Sequence, residues 1–387
     1  MRFDQRTRYQ LLLARSNLSV VFRILALPCS LSTTMRLKAL SLILLIFCGA
    51  CRTTRPFKAA DGTILDTSIA EMQRVPINGV RQFVTIRGSD RRNPVLLWLH
   101  GGPGNLSMPL YMHYNAPLED HFTVVYWDQR GSGKSYSSRI PAETMTLDQF
   151  VADTHALTAW LKQRFNQPKI VLVGHSWGGL LGMHVIAKHP DDYQAFMAVS
   201  PISNGPVSEQ LSYEFALSNA QQKQDGSALA TLQQIGPPEN GLYKDGLDAL
   251  KKQRDLVQKY GGVVHTHLRM PGSQIYLRSK EYSLLSLLKA NKIQQLSYPM
   301  VETLWPALDL KQQIPAVNVP VYFCLGRYDN NCPSTLVADY VASVQAPHKE
   351  LIWFEESAHL PCWEEPQKFN ALVKEKLATA TDKAALK

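Results

Sequence analysis

The chain has 387 residues, of which 45% are hydrophobic, enough for one large α/β domain with an insertion or for two ordinary domains. Its formal net charge of +9 is unevenly distributed along the sequence. Residues 1–51 hold seven Lys or Arg and one acid, a net charge of +6, which leaves only +3 for the rest of the chain. Nucleic-acid-binding proteins concentrate basic side chains on a folded face, so this near-neutral body argues against that class.

The N-terminal segment has the pattern of a targeting sequence. From Met35, two basic residues precede an apolar stretch at 39–47 that is too short to span a membrane comfortably, and small residues then lead to Cys51. This resembles a bacterial lipoprotein signal peptide with Cys51 as the lipidated residue. A plain secretory signal and an uncleaved membrane-associated helix are the alternatives. We therefore expect residues 1–51 to be a signal or anchor segment of a protein exported to the periplasm or cell envelope.

Short segments rich in β-branched and aromatic residues recur along the chain and predict strands. They lie at residues 82–86, 95–99, 123–127, 170–173, 195–199, 321–325 and 351–354. Helical patterns lie between several of them, at residues 147–165 and 179–188. This alternation predicts an α/β fold with a mostly parallel, doubly wound sheet.

No strand is predicted between about residues 202 and 314, where the sequence is polar, rich in Gln and helix-prone. An insertion of this length between two strands is usually functional. We expect a helical cap over the carboxyl edge of the sheet, where open α/β sheets bind their ligands. After residues 1–51, the chain then divides into a first core part (52–201), the cap (202–314) and a second core part (315–387).

Ser176 is the leading candidate for a nucleophile. The run Gly174-His175-Ser176-Trp177-Gly178 follows an apolar strand, and glycine on both sides of one serine indicates a sharp turn from strand to helix. Such a turn projects the hydroxyl out of the backbone, where a histidine and a carboxylate can activate it. Taken alone, the pattern also fits an ordinary turn at the start of a helix.

Segments after other strands supply the partners that such a serine needs. A glycine-rich run, HGGPG, follows one strand, and we expect the backbone N–H groups of Gly102 within it and of Trp177 to bind a developing oxyanion. Asp329 and His359 each follow a later strand. The chain order Ser, Asp, His is that of the α/β-hydrolase arrangement, with His359 as the base for Ser176 and Asp329 holding its tautomer.

The loop after the strand at 123–127 ends like a phosphate-binding P-loop. Asp128 stands where that motif requires glycine, which disfavours phosphate binding. We expect a structural role for this loop, with Arg130 forming hydrogen bonds that shape it beside the site.

No pattern in the sequence predicts a metal ion or a cofactor. His265 and His267 form a His-x-His pair without a third ligand, and we expect both to be exposed to solvent. Other histidines stand in no motif, namely His113, His121, His184 and His189.

Together, the motifs HGGPG, DQRGSGKS, GHSWGG, GRYD and SAH resemble the proline iminopeptidase branch of the α/β-hydrolase superfamily, from about Gln82 onward. The resemblance implies a nucleophile at Ser176, an acid at Asp329 and a base at His359. It also implies oxyanion donors at Gly102 and Trp177. The implied substrate is a short peptide or amino-acid amide with a free N-terminus, with proline as the first residue.

In aminopeptidases of this family, carboxylates of the cap bind the free amine of the substrate, because a desolvated cation needs an anionic partner. No motif selects among the available candidates, which are Glu209, Glu214, Glu281 and Glu302. His175 stands where many iminopeptidases have glycine, and GHSxGG is as common among esterase-like relatives. A carboxylic ester hydrolase is therefore an alternative, and a non-catalytic binding protein of the same fold is an alternative from another class.

Two cysteines lie close to the proposed acid and base. Cys332 follows Asp329 by three residues, and Cys362 follows His359 by the same number. The two loops must meet at the site, and an exported protein enters an oxidising compartment. We therefore expect a Cys332–Cys362 disulfide between them, with two unpaired thiols as the alternative.

Overall fold

The computed structural model describes residues 54–378. The predicted signal or anchor segment, including Cys51, lies outside these residues. Within 54–378, no helix has the combination of length and apolar character that a membrane crossing requires.

Eight strands form one sheet in the order β1-β2-β4-β3-β5-β6-β7-β8. The strands are β1 (Ile69–Ile77), β2 (Val80–Gly88), β3 (Val95–Leu99), β4 (Thr123–Asp128), β5 (Ile170–His175), β6 (Tyr193–Val199), β7 (Val321–Gly326) and β8 (Lys349–Phe354). The β1–β2 and β2–β4 pairs are antiparallel, and the other five pairs are parallel. The prediction of a mostly parallel α/β sheet is confirmed.

Helices flank the sheet and fill the long connection between β6 and β7. Before β6 lie α1 (Met108–Tyr114), α2 (Leu147–Phe165) and α3 (Trp177–Lys188). Between β6 and β7 lie α4 (Gly205–Gln222), α5 (Gly226–Ile235), α6 (Gly246–Lys259), α7 (Gly272–Arg278), α8 (Leu284–Leu287), α9 (Ala290–Leu304) and α10 (Leu310–Gln313). After β7 lie α11 (Ser334–Ser343), α12 (Pro361–Glu364) and α13 (Pro366–Val373). Short 3₁₀ or π turns occur at Ala116–Asp120, Gly133–Ser135, Ala142–Thr144, Pro190–Asp192, Trp305–Ala307 and Lys374–Ala378.

The sheet is buried on both faces. Successive side chains of a strand point to opposite faces, and in β3 they enter two separate apolar clusters. Leu97 and Leu99 belong to one cluster, while Leu96 and Trp98 belong to the other. Every residue of β3 is buried, which explains why its sequence is continuously apolar rather than alternating.

Strand β1 was not among the predicted strands. It lies at the edge of the sheet and pairs only with β2. Because one side of it is unpaired, Pro76 is tolerated within it. A two-residue turn joins β1 to β2, with Asn78 at φ 41° and Gly79 at φ 79°. Asn-Gly between two extended segments is a strong hairpin signal, so this turn could have revealed the strand.

The connection between β6 and β7 forms helices and no strand among its described residues. Helices α4, α5 and α6 share an apolar cluster of their own. Later parts of the connection contact loops at the carboxyl ends of the sheet strands. Ser297 of α9 lies against Gly104, and the carbonyl of Val263 accepts a hydrogen bond from the N–H of His359 at 3.0 Å. This connection, which we call the cap, therefore covers the edge of the sheet that carries the candidate site.

Candidate active site

Ser176 lies at a sharp, strained turn between β5 and α3. Its backbone has φ 56° and ψ −117°, outside the regions that residues other than glycine usually adopt. A Cβ on Gly174 would lie 2.2 Å from the carbonyl oxygen of Gly178, and one on Gly178 would lie 2.1 Å from that of Leu99. Neither flanking position can therefore carry a side chain. The predicted strand–turn–helix around Ser176 is confirmed.

Asp329 and His359 lie in the loops after β7 and β8 and are hydrogen-bonded to each other. His359 Nδ1 donates to Asp329 Oδ2 at 2.8 Å. The other carboxylate oxygen accepts from the backbone N–H groups of Asn331 and Cys332, each at 2.9 Å. Since the carboxylate fixes the proton on Nδ1, the other ring nitrogen, Nε2, is left as the basic one. The hydrogen bonds of Asp329 with His359 and Cys332 are buried, and the one with Asn331 is partly buried.

Ser176 lies beside this pair without a direct hydrogen bond to it. Among the hydrogen bonds of residues 54–378, none joins the Ser176 hydroxyl to His359. The turn lies next to His359, because the ring of the preceding residue, His175, lies 4.9 Å from the ring of His359, measured between centroids. In unliganded enzymes this bond is often long and tightens when substrate binds.

The two predicted oxyanion donors lie around the same serine. The loop after β3 passes directly beside it, since a Cβ on Gly101 would lie 3.3 Å from Ser176 Cβ. Gly102 has φ 136°, a conformation that requires glycine. The N–H of Trp177 opens α3, where helical N–H groups have no partner within the helix. Within the described chain, the N–H groups of Gly102 and Trp177 donate to no other group, so both are available to a ligand.

A buried hydrogen-bond network holds these two donor segments together. Gln129 Oε1 accepts from Trp177 Nε1 at 3.0 Å, and Gln129 Nε2 donates to the carbonyl of His100 at 3.1 Å. The backbone N–H of Gln129 also donates to His100 Nε2, so Nδ1 carries the ring proton and donates to the carbonyl of Gly101. Burial lowers the pKa of His100 to about 4, which keeps the ring neutral. Sequence reasoning did not identify this role of Gln129.

Arg130 has the structural role that the sequence predicted. Its guanidinium donates to both oxygens of Asp153, at 2.7 and 2.9 Å, and to the carbonyl of Asn78. Arg130 and Asp153 are both buried. The pair therefore fastens the loop after β4 to helix α2.

His175, directly before the serine, is tied to the loop of His359. Its Nε2 donates to the backbone carbonyl of His359 at 2.8 Å, and its Nδ1 accepts from the hydroxyl of Tyr111 at 2.8 Å. Burial, and then the nearby charge of His359, lower the pKa of His175 to about 3. The ring is therefore neutral, and its two hydrogen bonds fix the turn of Ser176 to the loop of His359. The sequence motif did not reveal this role.

The four cap glutamates have different surroundings. Glu214 and Glu302 are exposed. Glu281 is buried, and its two oxygens accept from Thr54 and Ser279. Glu209 is also buried, but only Oε1 is engaged, by Arg254 and by Trp305 Nε1, whereas Oε2 has no hydrogen-bond partner within residues 54–378. Glu209 is thus the candidate with a buried acceptor left for a ligand.

The charge of Glu209 also acts on the loop that holds Asp329. Burial raises the pKa of the Cys332 thiol in that loop, and the charge of Asp329 raises it further. The charge of Arg254 lowers the pKa of this thiol, and the charge of Glu209 raises it. The ion pair of Glu209 and Arg254 therefore acts electrostatically on the loop of Asp329.

The expected disulfide between Cys332 and Cys362 is wrong, because both are free thiols. Cys332 belongs to the apolar cluster on one face of the sheet and Cys362 to the cluster on the other face. The loops meet through Asp329 and His359, but their cysteines point into opposite layers, so proximity of the loops does not bring the sulfur atoms together. The alternative of two unpaired thiols is the correct one.

His265 and His267 are both exposed, as expected. The ring of His265 stacks on the ring of Tyr328 with their centroids 3.4 Å apart. The pair belongs to no group of three potential metal-binding side chains within residues 54–378.

Comparison with known proteins gives consistent matches. The sequence profile described as alpha/beta hydrolase fold matches residues 94–366. The chain is 33% identical over 310 residues to the protein named "Probable aminopeptidase YbaC" of Bacillus subtilis, covering 78% of this chain and 94% of that relative. It is 25% identical over 316 residues to a proline iminopeptidase of Saccharolobus solfataricus, covering 77% and 88%. A solved proline iminopeptidase of Mycobacterium smegmatis aligns with a TM-score of 0.57 over 81% of this chain and 100% of that one; at 19% identity this likeness concerns the fold alone.

Proposed function

The chain belongs to the α/β hydrolase fold family, and from its site we propose that it is a serine aminopeptidase of the proline iminopeptidase type. The observation that carries the hydrolase chemistry is the Asp329–His359 hydrogen bond beside the strained turn of Ser176. Relatives named aminopeptidase and proline iminopeptidase support the choice of substrate class. The buried, unpartnered oxygen of Glu209 supports it from within the chain.

The proposed reaction runs through an acyl-enzyme. His359 Nε2 takes the hydroxyl proton of Ser176 while Oγ bonds to the substrate carbonyl carbon, and the oxyanion accepts from the N–H groups of Gly102 and Trp177. His359 then gives the proton to the leaving amine as the C–N bond breaks. Water, deprotonated by His359, attacks the ester on Ser176. As the ester C–O bond breaks, His359 returns the proton to Ser176 Oγ and the acid is released. Asp329 holds the Nδ1–H and stabilises the imidazolium in both halves of the reaction.

Glu209 is the proposed binding partner of the substrate's free α-ammonium group. An ammonium in a desolvated pocket needs an anionic acceptor, and Oε2 is a buried acceptor without a partner in the described chain. The other oxygen is held by Arg254 and Trp305, which fixes the orientation of the carboxylate. This arrangement favours substrates with a free N-terminus over blocked peptides and simple esters.

Three substrates, one variant and one control variant test the proposal. The rates of hydrolysis of prolyl p-nitroanilide, its N-acetylated form and p-nitrophenyl butyrate are compared for the wild type, Ser176→Ala and the exposed-serine control Ser218→Ala. We expect cleavage of the free-amine substrate, little cleavage of the acetylated one, and loss of activity by at least about 1,000-fold only in Ser176→Ala. Turnover of the ester alone would replace the aminopeptidase by a carboxylic ester hydrolase. Equal rates for wild type and Ser176→Ala would refute the nucleophile.

Export and lipid anchoring remain proposals that rest on the sequence of residues 35–51. Cys51 is the proposed lipidated residue. In cells expressing the full chain, the wild type is expected in the membrane fraction and Cys51→Ala in the soluble fraction, while Cys48→Ala behaves as the wild type. A wild-type protein that stays in the soluble cytosolic fraction would contradict both export and anchoring.

A further inference from the structure

Three metal-ligating side chains meet at the end of helix α3, away from the candidate active site. His155 lies on α2, His189 directly follows α3, and Asp192 ends the short turn Pro190–Asp192. One ligand atom from each lies within 4.8 Å of the other two. We propose that His155, His189 and Asp192 form a binding site for a single Zn²⁺ or similar late first-row divalent ion.

The distances between the donor atoms approach those that such an ion requires. Around a tetrahedral Zn²⁺ with bonds of about 2.0 Å, donor atoms lie about 3.3 Å apart. His155 Nδ1 and Asp192 Oδ2 are already 2.8 Å apart. The rings of His155 and His189 are stacked, with centroids 3.8 Å apart and planes 8° from parallel. Nitrogen lone pairs lie in the ring planes, so one imidazole must turn out of this stack for the three donors to face one ion.

The carboxylate is held in place by a neighbour that does not bind the ion. Lys162 Nζ donates to Asp192 Oδ1 at 2.6 Å, which leaves Oδ2 directed at His155. Groups that fix a ligand from behind typically change metal affinity by about 10- to 100-fold. Asp192 is thus a ligand whose orientation is fixed by Lys162, rather than a freely rotating surface carboxylate.

A helix terminus also favours a cation at this position. The negative end of the α3 dipole points to the same place, since His189 is the residue that ends the helix.

The donor set selects the class of ion. Two imidazoles and one carboxylate match Zn²⁺, Cu²⁺ or Ni²⁺, whereas Mg²⁺ and Ca²⁺ prefer oxygen donors throughout. The ion would join α2 to the end of α3. Helix α3 has 12 residues, so the site lies about 18 Å along its axis from the turn at Ser176. The inferred role of the ion is therefore to stabilise the fold, not to take part in the hydrolytic reaction.

Zinc titration of the chelator-treated full chain tests the site by calorimetry and by thermal unfolding. We expect one Zn²⁺ per chain and a rise in melting temperature. The variant His189→Asn should lower the affinity at least about tenfold, and His155→Gln, at a half-exposed position that tolerates change, should do the same. The control His267→Asn alters an exposed histidine elsewhere and should bind Zn²⁺ as the wild type does.

Cobalt provides a second measurement that does not depend on stability. Co²⁺ bound to His155 and His189 should give visible absorption bands that disappear in His189→Asn and persist in His267→Asn. Equal Zn²⁺ binding by the wild type, His155→Gln and His189→Asn would overturn the proposal, as would the absence of binding at millimolar Zn²⁺. Far-ultraviolet circular dichroism that matches the wild type confirms that each variant is folded.

Discussion

The sheet edge and the cap contribute to the site by different physical means. Residues at the sheet edge are fixed by backbone geometry: Ser176 lies in a turn closed by two glycines, and Asp329 accepts two backbone N–H groups. The cap carboxylate of Glu209 is fixed only by side chains, those of Arg254 and Trp305. The rigid edge is suited to bond cleavage and the adaptable cap to choosing the substrate. Mutations at the sheet edge should therefore change the rate of bond cleavage, and mutations in the cap should change the choice of substrate.

Asp329→Asn should have the largest effect and should lower kcat equally for every substrate. The amide cannot hold the Nδ1–H tautomer of His359 as the carboxylate does, so we expect kcat to fall about 10⁴-fold for free-amine, blocked and ester substrates. Asp339→Asn, at an exposed position on the following helix α11, is the matched control. Loss confined to one substrate class would show that the sheet edge also selects substrates.

Gly178→Ala tests the rigidity of the sheet edge. The new Cβ would lie 2.1 Å from the carbonyl oxygen of Leu99 and 2.8 Å from that of His100, and neither backbone group can move freely. We expect a loss of at least about 3 kcal/mol in the free energy of unfolding, measured by urea denaturation. Gly226→Ala in the cap meets no atom within 4 Å and should be nearly neutral. If Gly178→Ala were equally neutral, position 178 could carry a side chain and the turn of Ser176 would not depend on glycine there.

Glu209→Gln tests the selectivity of the cap. A charge-assisted hydrogen bond contributes about 1.5 to 3 kcal/mol, so KM for prolyl p-nitroanilide should rise about 10- to 100-fold. Hydrolysis of p-nitrophenyl butyrate should not change. Glu214→Gln, on the same helix but exposed, serves as the control. An equal loss on both substrates would place Glu209 in the structure of the site rather than in recognition of the amine.

Asp128→Asn concerns the link between core and cap and should have the smallest effect. Burial raises the pKa of Asp128 to about 6, while its carboxylate accepts from the cap hydroxyl of Tyr282 at 2.9 Å. The folded state therefore binds a proton that the unfolded state does not, between about pH 4 and pH 6. The contribution of this group to stability falls as pH rises through that window. Relative to the wild type, Asp128→Asn should gain roughly 1 to 3 kcal/mol between pH 4 and pH 7 in urea denaturation. A difference that does not change with pH would contradict the raised pKa.

The sheet and the catalytic candidates were predictable because each has a local signal. Buried parallel strands are continuous apolar runs, and Ser176, Asp329 and His359 lie three to five residues after apolar runs in the chain. The edge strand β1 lacks such a run, since only three of its nine residues are buried and it contains Pro76. Its signal lay in the Asn78-Gly79 turn instead.

The remaining parts of the site depend on contacts between distant residues. Glu209 and Glu214 are five residues apart on one helix, and only tertiary packing buries the first and exposes the second. His175 acquires its role from Tyr111 and from a backbone carbonyl 184 residues away. The disulfide failed for the same reason: sequence spacing locates a loop but not the face of the sheet toward which its side chain points.

The strained backbone of Ser176 limits the thermal stability that the protein can reach while it keeps the proposed nucleophile. Holding a serine at φ 56° and ψ −117° costs about 1 to 3 kcal/mol, whereas the extra freedom of glycine in the unfolded chain costs only about 0.5 to 1 kcal/mol. Glycine at position 176 should therefore give the more stable fold. Laboratory evolution for survival at high temperature alone would discard the proposed nucleophile, so such a screen must select for turnover in the same step.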